Sequence, residues 1–541
     1  MDFMESNEKI EKGKDLYVDD RGEISNYYLD NKINHVGLIS SIKGSVRGNH
    51  YHPEQLQSCL LISGSYLSVT KNLNHENSKI ETRLIKAGDI SIIEKNIAHA
   101  MVFLEDSIFI NLVDGERAHE NYGQTHTFPL ELVDNALADI YLSTYKTDCR
   151  NCGKSNLSFI HSFGLSPLAN NLLEHPNEKS ISYPLELNFC TDCSNVQLNT
   201  VVDAEILFDE YLYTSSTSIK FIEHFENIAK SISTKTNAKS DIFVVDIGSN
   251  DGIFLKPLKE NGIRALGVEP AKNLAKIANK ENLETINSYF DAETVIKIKN
   301  EYGKADFVTA FNVFAHSDFL KDIAQNAFDL LKEDGSFIIE VQSLAAMIEE
   351  MLFDNVYHEH VNYWSLLSLD NFFKGINLYV NDFENVDTHG GSLRVYVSKN
   401  EGQSESVINQ IKYEKKLQLD EIQTYFNFSK KLNNQKIRNF DELKKEKESG
   451  KKIIFYGAPA KATTLLNYYG IDSEIVKYTI DDNPLKINKY IPNTKIQIVD
   501  KEFAQKYDPD LIIVLAWNFF DSIKENNKNM FPRAKFSKLT K

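Results

Sequence analysis

Four of the five cysteines occur as two closely spaced pairs, and this spacing indicates a metal site. The pairs are Cys149-Arg-Asn-Cys152 and Cys190-Thr-Asp-Cys193, with residues 153–189 between them. Each pair can supply two thiolates from a tight turn, and four thiolates complete the tetrahedral shell that structural zinc prefers. The sequence therefore predicts one structural zinc ion. Because protein ligands would fill its shell, no position is left open for catalysis.

Three histidines and one glutamine form a second candidate site near the N-terminus. His50 and His52 alternate along a predicted strand, so both side chains point to the same side of the sheet. With Gln57 and His99 they make a set of three imidazoles and one amide. Two interpretations stay open for this set: a divalent metal site, or a pair of histidines that act as acid and base.

The same segment resembles the cupin superfamily. Residues 44–64 resemble its first sequence motif, with Gln57 where a glutamate is usual, and residues 46–52 (VRGNHYH) resemble cupins that epimerise or isomerise nucleotide-linked 4-keto sugars. Some of those cupins hold zinc on the histidine pair, and others use histidines without metal. The resemblance implies catalytic roles for His50 and His52. The alternative is an inactive cupin that serves binding or dimerisation.

A turn containing two glycines follows a predicted strand and is the candidate cofactor site. Asp246 lies at the end of the strand, and Gly248 and Gly252 let the backbone approach a ligand closely at the N-terminus of the next helix. Glu269 ends the following strand, where a carboxylate can bind ribose hydroxyls. Such a turn also suits NAD, but the spacing of the glycines departs from the pattern GxGxxG.

The turn and the acidic residue after it resemble class I S-adenosylmethionine-dependent methyltransferases. The resemblance implies that S-adenosylmethionine is the cofactor. It also implies that the cofactor-binding residues are Asp246, Gly248, Asn250, Asp251, Gly252, Glu269 and Asn312.

Five further segments resemble the sugar C-methyltransferase family, whose members act on deoxysugars carried on a nucleotide diphosphate. The segments are 163–170 (FGLSPLAN), 311–316 (FNVFAH), 353–360 (FDNVYHEH), 388–394 (THGGSLR) and 456–461 (YGAPAK). The resemblance runs from about Cys149 to the C-terminus. It implies that Tyr357, Glu359, His360 and His316 are catalytic, and that substrate contacts include Asn170, His389, Gly390, Arg394 and Lys461.

The chemistry expected of this family assigns a role to each of the catalytic residues. Methylation of carbon needs a carbanion-like nucleophile, which an enolate beside a ketone provides. A neutral histidine can take the proton because its ordinary pKa lies near the working pH. We expect His360 to be the general base, with Tyr357, Glu359 and His316 orienting it or stabilising the enolate oxygen. If the segment is helical, Tyr357 and His360 share one face at positions i and i+3, and His358 points elsewhere.

The predicted elements that position these residues fall into four domains. Residues 1–140 contain short β-type runs and are expected to form an all-β cupin barrel. Residues 145–202 form a small zinc-binding module. Residues 203–400 alternate strands with helices, as expected for a class I α/β methyltransferase domain. Residues 401–541 are expected to form a helical linker and a C-terminal Rossmann-like α/β domain, in which Lys461 is either structural or a contact with the substrate diphosphate.

Composition excludes several classes of protein. The chain has 541 residues, 77 acidic and 60 basic, and a net charge of −17, whereas a nucleic-acid-binding surface needs a basic face. No apolar run approaches the ~18 residues that span a membrane, and the N-terminus lacks an apolar signal core. We therefore expect a cytoplasmic protein with a small-molecule partner, without nucleic-acid or membrane partners. A homodimer formed through the cupin stays open.

The predicted function is that of a bifunctional enzyme of deoxysugar biosynthesis. It would methylate a carbon, expected to be C3, beside the ketone of a nucleotide-linked 4-keto-6-deoxy sugar. The cupin would epimerise or isomerise a related keto sugar, because both reactions begin with enolisation. The main alternative is a sugar C-methyltransferase with an inactive cupin. The charge disfavours a zinc-ribbon RNA methyltransferase, and an NAD-dependent sugar oxidoreductase would require nicotinamide binding at the turn after Asp246.

Overall fold

The computed structural model describes residues 7–19, 22–30, 32–75, 78–115, 126–208, 216, 219–235, 241–388 and 390–539. His389, one of the predicted substrate contacts, lies outside the described residues. Among the helices in those ranges, none is both long enough and apolar enough to cross a membrane.

The N-terminal part of the chain is built from short strands followed by one helix. The elements are β1 (Glu8–Lys12), β2 (Lys14–Asp19), β3 (Gly22–Asn26), β4 (His35–Ser41), β5 (Val46–Tyr51), β6 (Leu56–Ser63), β7 (Ser65–Asn72), β8 (Glu81–Lys86), β9 (Asp89–Ile93), β10 (Ile97–Phe103), β11 (Ser107–Asp114), β12 (Phe128–Pro129) and α1 (Asn135–Thr144). They form two five-stranded sheets, β1-β9-β6-β11-β4 and β12-β5-β10-β7-β8, and a β2-β3 hairpin. The pairings within them are antiparallel, which confirms the predicted all-β cupin architecture.

The next segment is a small sheet that carries the two cysteine pairs. Its strands are β13 (Leu157–Pro167), β14 (Ser182–Cys190) and β15 (Val196–Leu198), paired in an antiparallel manner. Both cysteine pairs lie in tight turns, since the amide of Gly153 donates to the carbonyl of Cys149 at 2.7 Å and the amide of Ser194 donates to that of Cys190 at 3.0 Å.

The central domain is an α/β unit. Its strands are β16 (Phe243–Ile247), β17 (Arg264–Val268), β18 (Thr285–Ile286), β19 (Ala305–Phe311), β20 (Leu331–Gln342), β21 (Asn362–Tyr363), β22 (Tyr379–Val386) and β23 (Ser392–Ser398). Its helices are α2 (Ala204–Phe208), α3 (Ile219–Lys235), α4 (Leu255–Glu260), α5 (Lys272–Lys280), α6 (Ala292–Glu301), α7 (Leu320–Leu330), α8 (Leu344–Glu349) and α9 (Leu366–Lys374), with a 3₁₀ turn at Phe353–Asn355.

The main sheet of this domain has the strand order β18-β17-β16-β19-β20-β23-β22. The pairings from β18 to β20 are parallel, and β23 runs antiparallel to both of its neighbours. The predicted class I α/β fold is therefore confirmed. Because parallel strands end at one edge of the sheet, the loops after β16, β17 and β19 lie together there.

The C-terminal part contains α10 (Glu405–Lys416), α11 (Ile422–Glu448), α12 (Ala460–Tyr469), α13 (Lys501–Tyr507) and α14 (Phe520–Asn527), with a 3₁₀ turn at Trp517–Phe519. Its strands are β24 (Ile453–Tyr456), β25 (Tyr478–Ile480), β26 (Tyr490–Ile491), β27 (Ile496–Val499), β28 (Leu511–Val514) and β29 (Lys535–Ser537), in the sheet order β26-β27-β25-β24-β28-β29. All pairings except β26 with β27 are parallel, as expected for a Rossmann-like domain.

The predicted helical linker is part of the packed core. Tyr425, Phe428 and Leu432 of α11 are buried in the same apolar cluster as residues of the small cysteine-bearing sheet and of the C-terminal domain. A helix that buries aromatic side chains between two domains fixes their arrangement, so α11 does not act as a tether.

The segment that contains the predicted general base lies where three domains meet. Phe353 belongs to the shared apolar cluster, and its ring stacks on Phe163 of β13 with centroids 6.0 Å apart. Strand β21, which directly follows the segment, pairs with β15, and the pairing places Asn362 beside Gln197. The segment is therefore held by the cysteine-bearing sheet as well as by its own domain.

Candidate active site

A cavity of about 1720 Å³ opens between the central domain, α1, the cysteine-bearing module and the C-terminal domain. Single-ligand pockets are usually about 300–1,000 Å³, so this one has room for two ligands of moderate size. The predicted site residues on its wall are Asp246, Gly248, Asn250, Glu269, Asn312, His316, Tyr357, His360, Asn170 and Lys461. The predicted site residues of these domains that do not line the cavity are Asp251, Gly252, Glu359, Gly390 and Arg394.

One end of the cavity is formed by the turn after β16. Gly248 has a φ of +65°, and a Cβ at this position would lie 2.5 Å from a methyl carbon of Val313, so only glycine fits. Asp246 is buried and accepts a hydrogen bond from the Thr309 hydroxyl at 2.6 Å. Burial raises the pKa of Asp246 to about 7. The turn therefore presents backbone and one carboxyl group to the cavity.

Glu269 is fixed in place by the backbone around it. Its Oε2 accepts from the amide of Asn250 and its Oε1 accepts from the amide of Ala271, both at 2.8 Å. Burial raises the pKa of this carboxyl. Because each carboxylate oxygen has a second lone pair, the group can still accept hydrogen bonds from ribose hydroxyls. The backbone amide of Asn312, on the same wall, donates to the backbone carbonyl of Glu340 at 2.8 Å.

Two predicted cofactor residues shape the turn and do not line the cavity. The Asp251 carboxylate accepts a hydrogen bond from the Ser216 hydroxyl. A Cβ on Gly252 would lie 2.5 Å from a methyl carbon of Leu283, so the glycine lets the turn pack closely against the segment after α5. Their assignment to direct cofactor contact stays a prediction.

Tyr357, His360 and His316, which were predicted to be catalytic, lie close together on the cavity wall. The Tyr357 hydroxyl lies 2.8 Å from Nε2 of His360, and Nδ1 of His360 lies 2.9 Å from the carbonyl oxygen of Asn355. A carbonyl only accepts, so Nδ1 carries the proton and Nε2 of the neutral ring accepts from Tyr357. The His316 ring lies 4.8 Å from that of His360, between centroids. The basic nitrogen is therefore fixed by two contacts.

The backbone that brings Tyr357 and His360 together is a turn and not a helix. The amide of His360 donates to the carbonyl of Tyr357 at 2.9 Å. The two side chains meet at the expected i and i+3 spacing, but the helix considered for this segment is absent. His358, between them, is buried and bonds through Nε2 to the carbonyl of Pro184 at 3.1 Å. Burial lowers the pKa of His358 to about 4, consistent with a structural role.

The Glu359 side chain is buried and does not line the cavity. It is 3% exposed and accepts a hydrogen bond from the Asn170 amide nitrogen at 2.6 Å. Asn170 itself lines the cavity. The carboxylate therefore orients a wall residue supplied by the cysteine-bearing module.

Two lysines from the C-terminal domain line the cavity. Nζ of Lys461 lies 3.9 Å from the centroid of the Trp517 ring and donates to the Asn518 side chain at 3.0 Å. Lys486 was missed by the sequence analysis, and its Nζ donates to the carbonyl of Ala458 at 2.8 Å. Lys486 lies in the loop that follows β25 and its acidic end. In Rossmann-like folds the loops at this end of the strands face the ligand, so its position could have indicated a role in binding.

The structure places two predicted substrate contacts elsewhere. Arg394 donates through Nε and Nη2 to Glu340 at 3.2 and 3.0 Å and through Nη1 to Glu384 at 3.1 Å. Its positive charge is therefore paired with two carboxylates of the neighbouring strands. Gly390 packs on Trp517, because a Cβ there would lie 2.8 Å from the indole ring. Neither residue reaches the cavity wall.

The four predicted zinc ligands come together as one cluster. All four sulfur atoms lie within 4.8 Å of one another, with Cys149 to Cys193 and Cys152 to Cys190 both at 3.6 Å. Tetrahedral zinc with bonds of about 2.3 Å requires sulfur atoms about 3.8 Å apart. Hydrogen bonding from Cys190 is the main cause that lowers the pKa of Cys149 to about 4, which favours the thiolate. The residues therefore fit a structural zinc ion.

The three cupin histidines also come together, with ring nitrogens within 4.8 Å of one another. Nδ1 of His52 lies 3.0 Å from the carbonyl of His126, so it carries the proton, and Nε2 accepts from the Gln57 amide nitrogen at 2.7 Å. Burial lowers the pKa of His50 to about 4 and that of His99 well below its ordinary value. Neutral imidazoles fit either interpretation, a metal site or acid–base chemistry.

Three protein families match consecutive parts of the chain. Residues 149–208 match the family described as "Putative zinc binding domain", residues 221–382 match "Methyltransferase domain" and residues 387–536 match "C-methyltransferase C-terminal domain". A curated relative, the C-methyltransferase NovU of Streptomyces niveus, is 31% identical over 386 residues. The match covers 70% of this chain and 92% of NovU.

Two solved structures illustrate the structural likenesses. The dTDP-4-dehydrorhamnose 3,5-epimerase from Sulfolobus tokodaii is 18% identical, with 25% of this chain and 86% of that chain covered and a TM-score of 0.21. A 3,4-ketoisomerase from Helicobacter canadensis is 21% identical, with 22% and 90% covered and a TM-score of 0.20. At such TM-scores the likeness supports no functional assignment.

Proposed function

The chain belongs to the C-methyltransferase family, and from this premise we propose that it methylates a carbon, expected to be C3, beside the ketone of a nucleotide-linked 4-keto-6-deoxy sugar. The observation that carries the proposal is the Tyr357–His360 pair on the wall of a cavity that also contains the turn after β16. A base and a cofactor turn in one cavity suit proton removal followed by methyl transfer.

The methyl donor in this proposal is S-adenosylmethionine, which supplies an electrophilic methyl group when it is bound. Asp246, Glu269 and the backbone of residues 248–252 would hold it, with Asn312 on the same wall. The two carboxyl groups face this end of the cavity and complement a cationic ligand. The supporting observation is that a side chain larger than glycine cannot stand at Gly248.

His360 is the proposed general base. Its Nε2 takes the proton from the carbon beside the ketone, and the Asn355 carbonyl stabilises the imidazolium by accepting from Nδ1. The Tyr357 hydroxyl leaves Nε2 when the substrate enters and donates to the enolate oxygen. Glu359 orients Asn170 toward the sugar. Lys461 and Lys486, on the cavity wall, face the diphosphate.

The direct test compares the intact chain with His360→Ala. With S-adenosylmethionine and nucleotide-linked 4-keto-6-deoxy sugars, mass spectrometry should show the mass of one added methyl group for the intact chain. We expect the variant to bind S-adenosylmethionine normally and to lose turnover by a factor of ~10²–10⁴, the usual contribution of a general base. His175→Ala, on an exposed loop of the cysteine-bearing module, is the matched control. Unchanged turnover in His360→Ala contradicts the base assignment.

A second proposed activity belongs to the cupin, which would epimerise or isomerise a related keto sugar with His50 and His52. The contacts of His52 support this activity. The His126 carbonyl fixes the proton on Nδ1, so Nε2 is the nitrogen that carries the lone pair. If a divalent metal takes part, His50, His52, His99 and Gln57 are the side chains that would hold it. The alternative is an inactive cupin that serves binding or dimerisation.

Deuterium exchange in the full chain separates these possibilities. In the His360→Ala background, the cupin should still exchange solvent deuterium into the carbons beside the ketone, and adding His52→Ala should abolish this. Treatment with a chelator that removes loosely bound divalent ions distinguishes metal-dependent from metal-free exchange. Exchange that persists without His52, or its absence across several keto sugars, contradicts an active cupin.

A further inference from the structure

Arg150 stands between two of the cysteines, yet its guanidinium contacts the central domain. Its Nε donates to the Asp318 carboxylate at 3.1 Å, its Nη1 to the carbonyl of Val361 at 2.5 Å and its Nη2 to the carbonyl of Leu198 at 2.8 Å. The side chain is only 2% exposed. One buried cation therefore joins three acceptors from three separate segments.

Two of these acceptors belong to the segments that carry the two histidines predicted to be catalytic. Val361 directly follows His360, and Asp318 lies two positions after His316. The rings of the two histidines are 4.8 Å apart, between centroids. The amide of Val361 donates to the carbonyl of Ala315 at 3.0 Å, and Arg150 bonds to both segments from the side of the cysteine-bearing module.

The other side of Arg150 is anchored in the cysteine-bearing module. Its amide donates to the Gln197 side chain at 3.0 Å, and Gln197 lies on β15, the strand that pairs with β21. Next to it, Asn195 and Asn362 exchange two amide hydrogen bonds of 2.9 and 3.1 Å. Arg150 therefore connects the turn of Cys149 and Cys152 to the backbone of Val361, next to His360.

We infer that Arg150 is a positioning residue for methyl transfer, which sets the separation of His316 and His360 by joining their segments to the zinc-binding turn. The inference rests on the proposed function of His360. A planar guanidinium can satisfy acceptors in three fixed directions, which a lysine ammonium on its flexible stem does not reproduce. Displacements of about 1 Å in a reaction centre can reduce turnover about a hundredfold.

The test uses the full chain with Arg150→Lys and, separately, Asp318→Asn, which removes the charge of the Asp318 carboxylate and so weakens this contact without changing the cysteine module. We expect kcat to fall roughly 10- to 100-fold in both variants. The KM for the sugar nucleotide and the affinity for S-adenosylmethionine should stay within about twofold, and zinc content should stay at one per chain. Deuterium exchange dependent on His360 should slow in parallel with kcat.

The matched control is Arg264→Lys. This arginine also bonds to a backbone carbonyl, that of Tyr302, and its guanidinium carbon lies 4.1 Å from the ring centroid of Phe243. It does not line the cavity. Wild-type kcat in Arg150→Lys and Asp318→Asn overturns the inference. So does loss of zinc in Arg150→Lys combined with wild-type kcat in Asp318→Asn, because Arg150 would then serve only the metal site. Failure of the proposed function gives a different result: the unmodified chain adds no methyl group, or His360→Ala stays active.

Discussion

At the scale of single residues, the protonation pattern of His360 decides what the site can do. The Asn355 carbonyl fixes the proton on Nδ1, so the nitrogen that faces Tyr357 is the basic one. The Tyr357 hydroxyl therefore donates to His360 in this state and is available to donate to an enolate once Nε2 takes up a proton. In the proposed mechanism the pair supplies a base and an oxyanion donor from two side chains of one turn.

Substitution of Tyr357 by phenylalanine tests the second role. We expect Tyr357→Phe to keep S-adenosylmethionine binding and to lower kcat about a hundredfold, the usual cost of one lost oxyanion donor. Steady-state kinetics on the same sugar nucleotide measure this. A kcat equal to that of the intact chain would show that Tyr357 does not stabilise the enolate.

Local sequence predicted the residues of this turn well, but it could not predict contacts between distant segments. Tyr357 and His360 meet at the expected spacing because a single turn places them. Arg394 was expected to contact substrate, but Glu340 and Glu384 lie on the two strands beside it and use its charge. The contacts of Arg150 could not be predicted, because its acceptors lie far along the chain.

At the scale of elements, a buried carboxyl group joins β14 to the segment that follows α1. Glu186 of β14 is fully buried and accepts from the Tyr145 hydroxyl, just after α1, at 2.9 Å. Burial raises the pKa of Glu186 to about 8. Its folded-state pKa is above the ordinary value of 4.5, so the folded chain binds this proton more tightly than the unfolded chain does.

The sign of the resulting pH dependence follows from linkage. The contribution of Glu186 to stability is fully present below about pH 4.5 and is lost progressively as the pH rises to about 8. Glutamine stays neutral, so the melting temperature of Glu186→Gln relative to the intact chain should rise between about pH 5 and about pH 9. Thermal unfolding measures this, with exposed Glu333→Gln as the control. A difference that does not change with pH would contradict a raised pKa.

The arrangement of elements was predicted better than their packing. The alternation of strands and helices indicated a parallel α/β sheet, and the short β-runs indicated an antiparallel sandwich or barrel. The role of α11 was missed because charged residues dominate its sequence, although Tyr425, Phe428 and Leu432 recur at the spacing of one helix face. Only the tertiary structure shows that they fill a core between two domains.

At the scale of the whole molecule, a chain of net charge −17 is proposed to bind an anionic sugar nucleotide. The overall field opposes this, so local cations must capture the diphosphate. Lys461 and Lys486 are the lysines that the C-terminal domain contributes to the described cavity wall, and Lys146 lies on it near α1.

Removing the two C-terminal lysines tests this capture. We expect Lys461→Ala and Lys486→Ala each to raise the KM for the sugar nucleotide about tenfold, equivalent to about 1.4 kcal/mol. S-adenosylmethionine affinity should stay unchanged, because its proposed site is formed by the central domain. Exposed Lys444→Ala is the control. If KM is unaffected in both variants, the diphosphate does not lie beside these lysines.

The most direct test of the central claim is the position of the transferred methyl group. The full chain is incubated with S-adenosylmethionine carrying a ¹³C-labelled methyl group and a nucleotide-linked 4-keto-6-deoxy sugar, and the product is analysed by NMR. We predict that the label is bonded to the sugar carbon beside the ketone and that His360→Ala gives no labelled sugar. A label on oxygen or on the nucleobase, or no labelled product across a panel of such sugars, would contradict it.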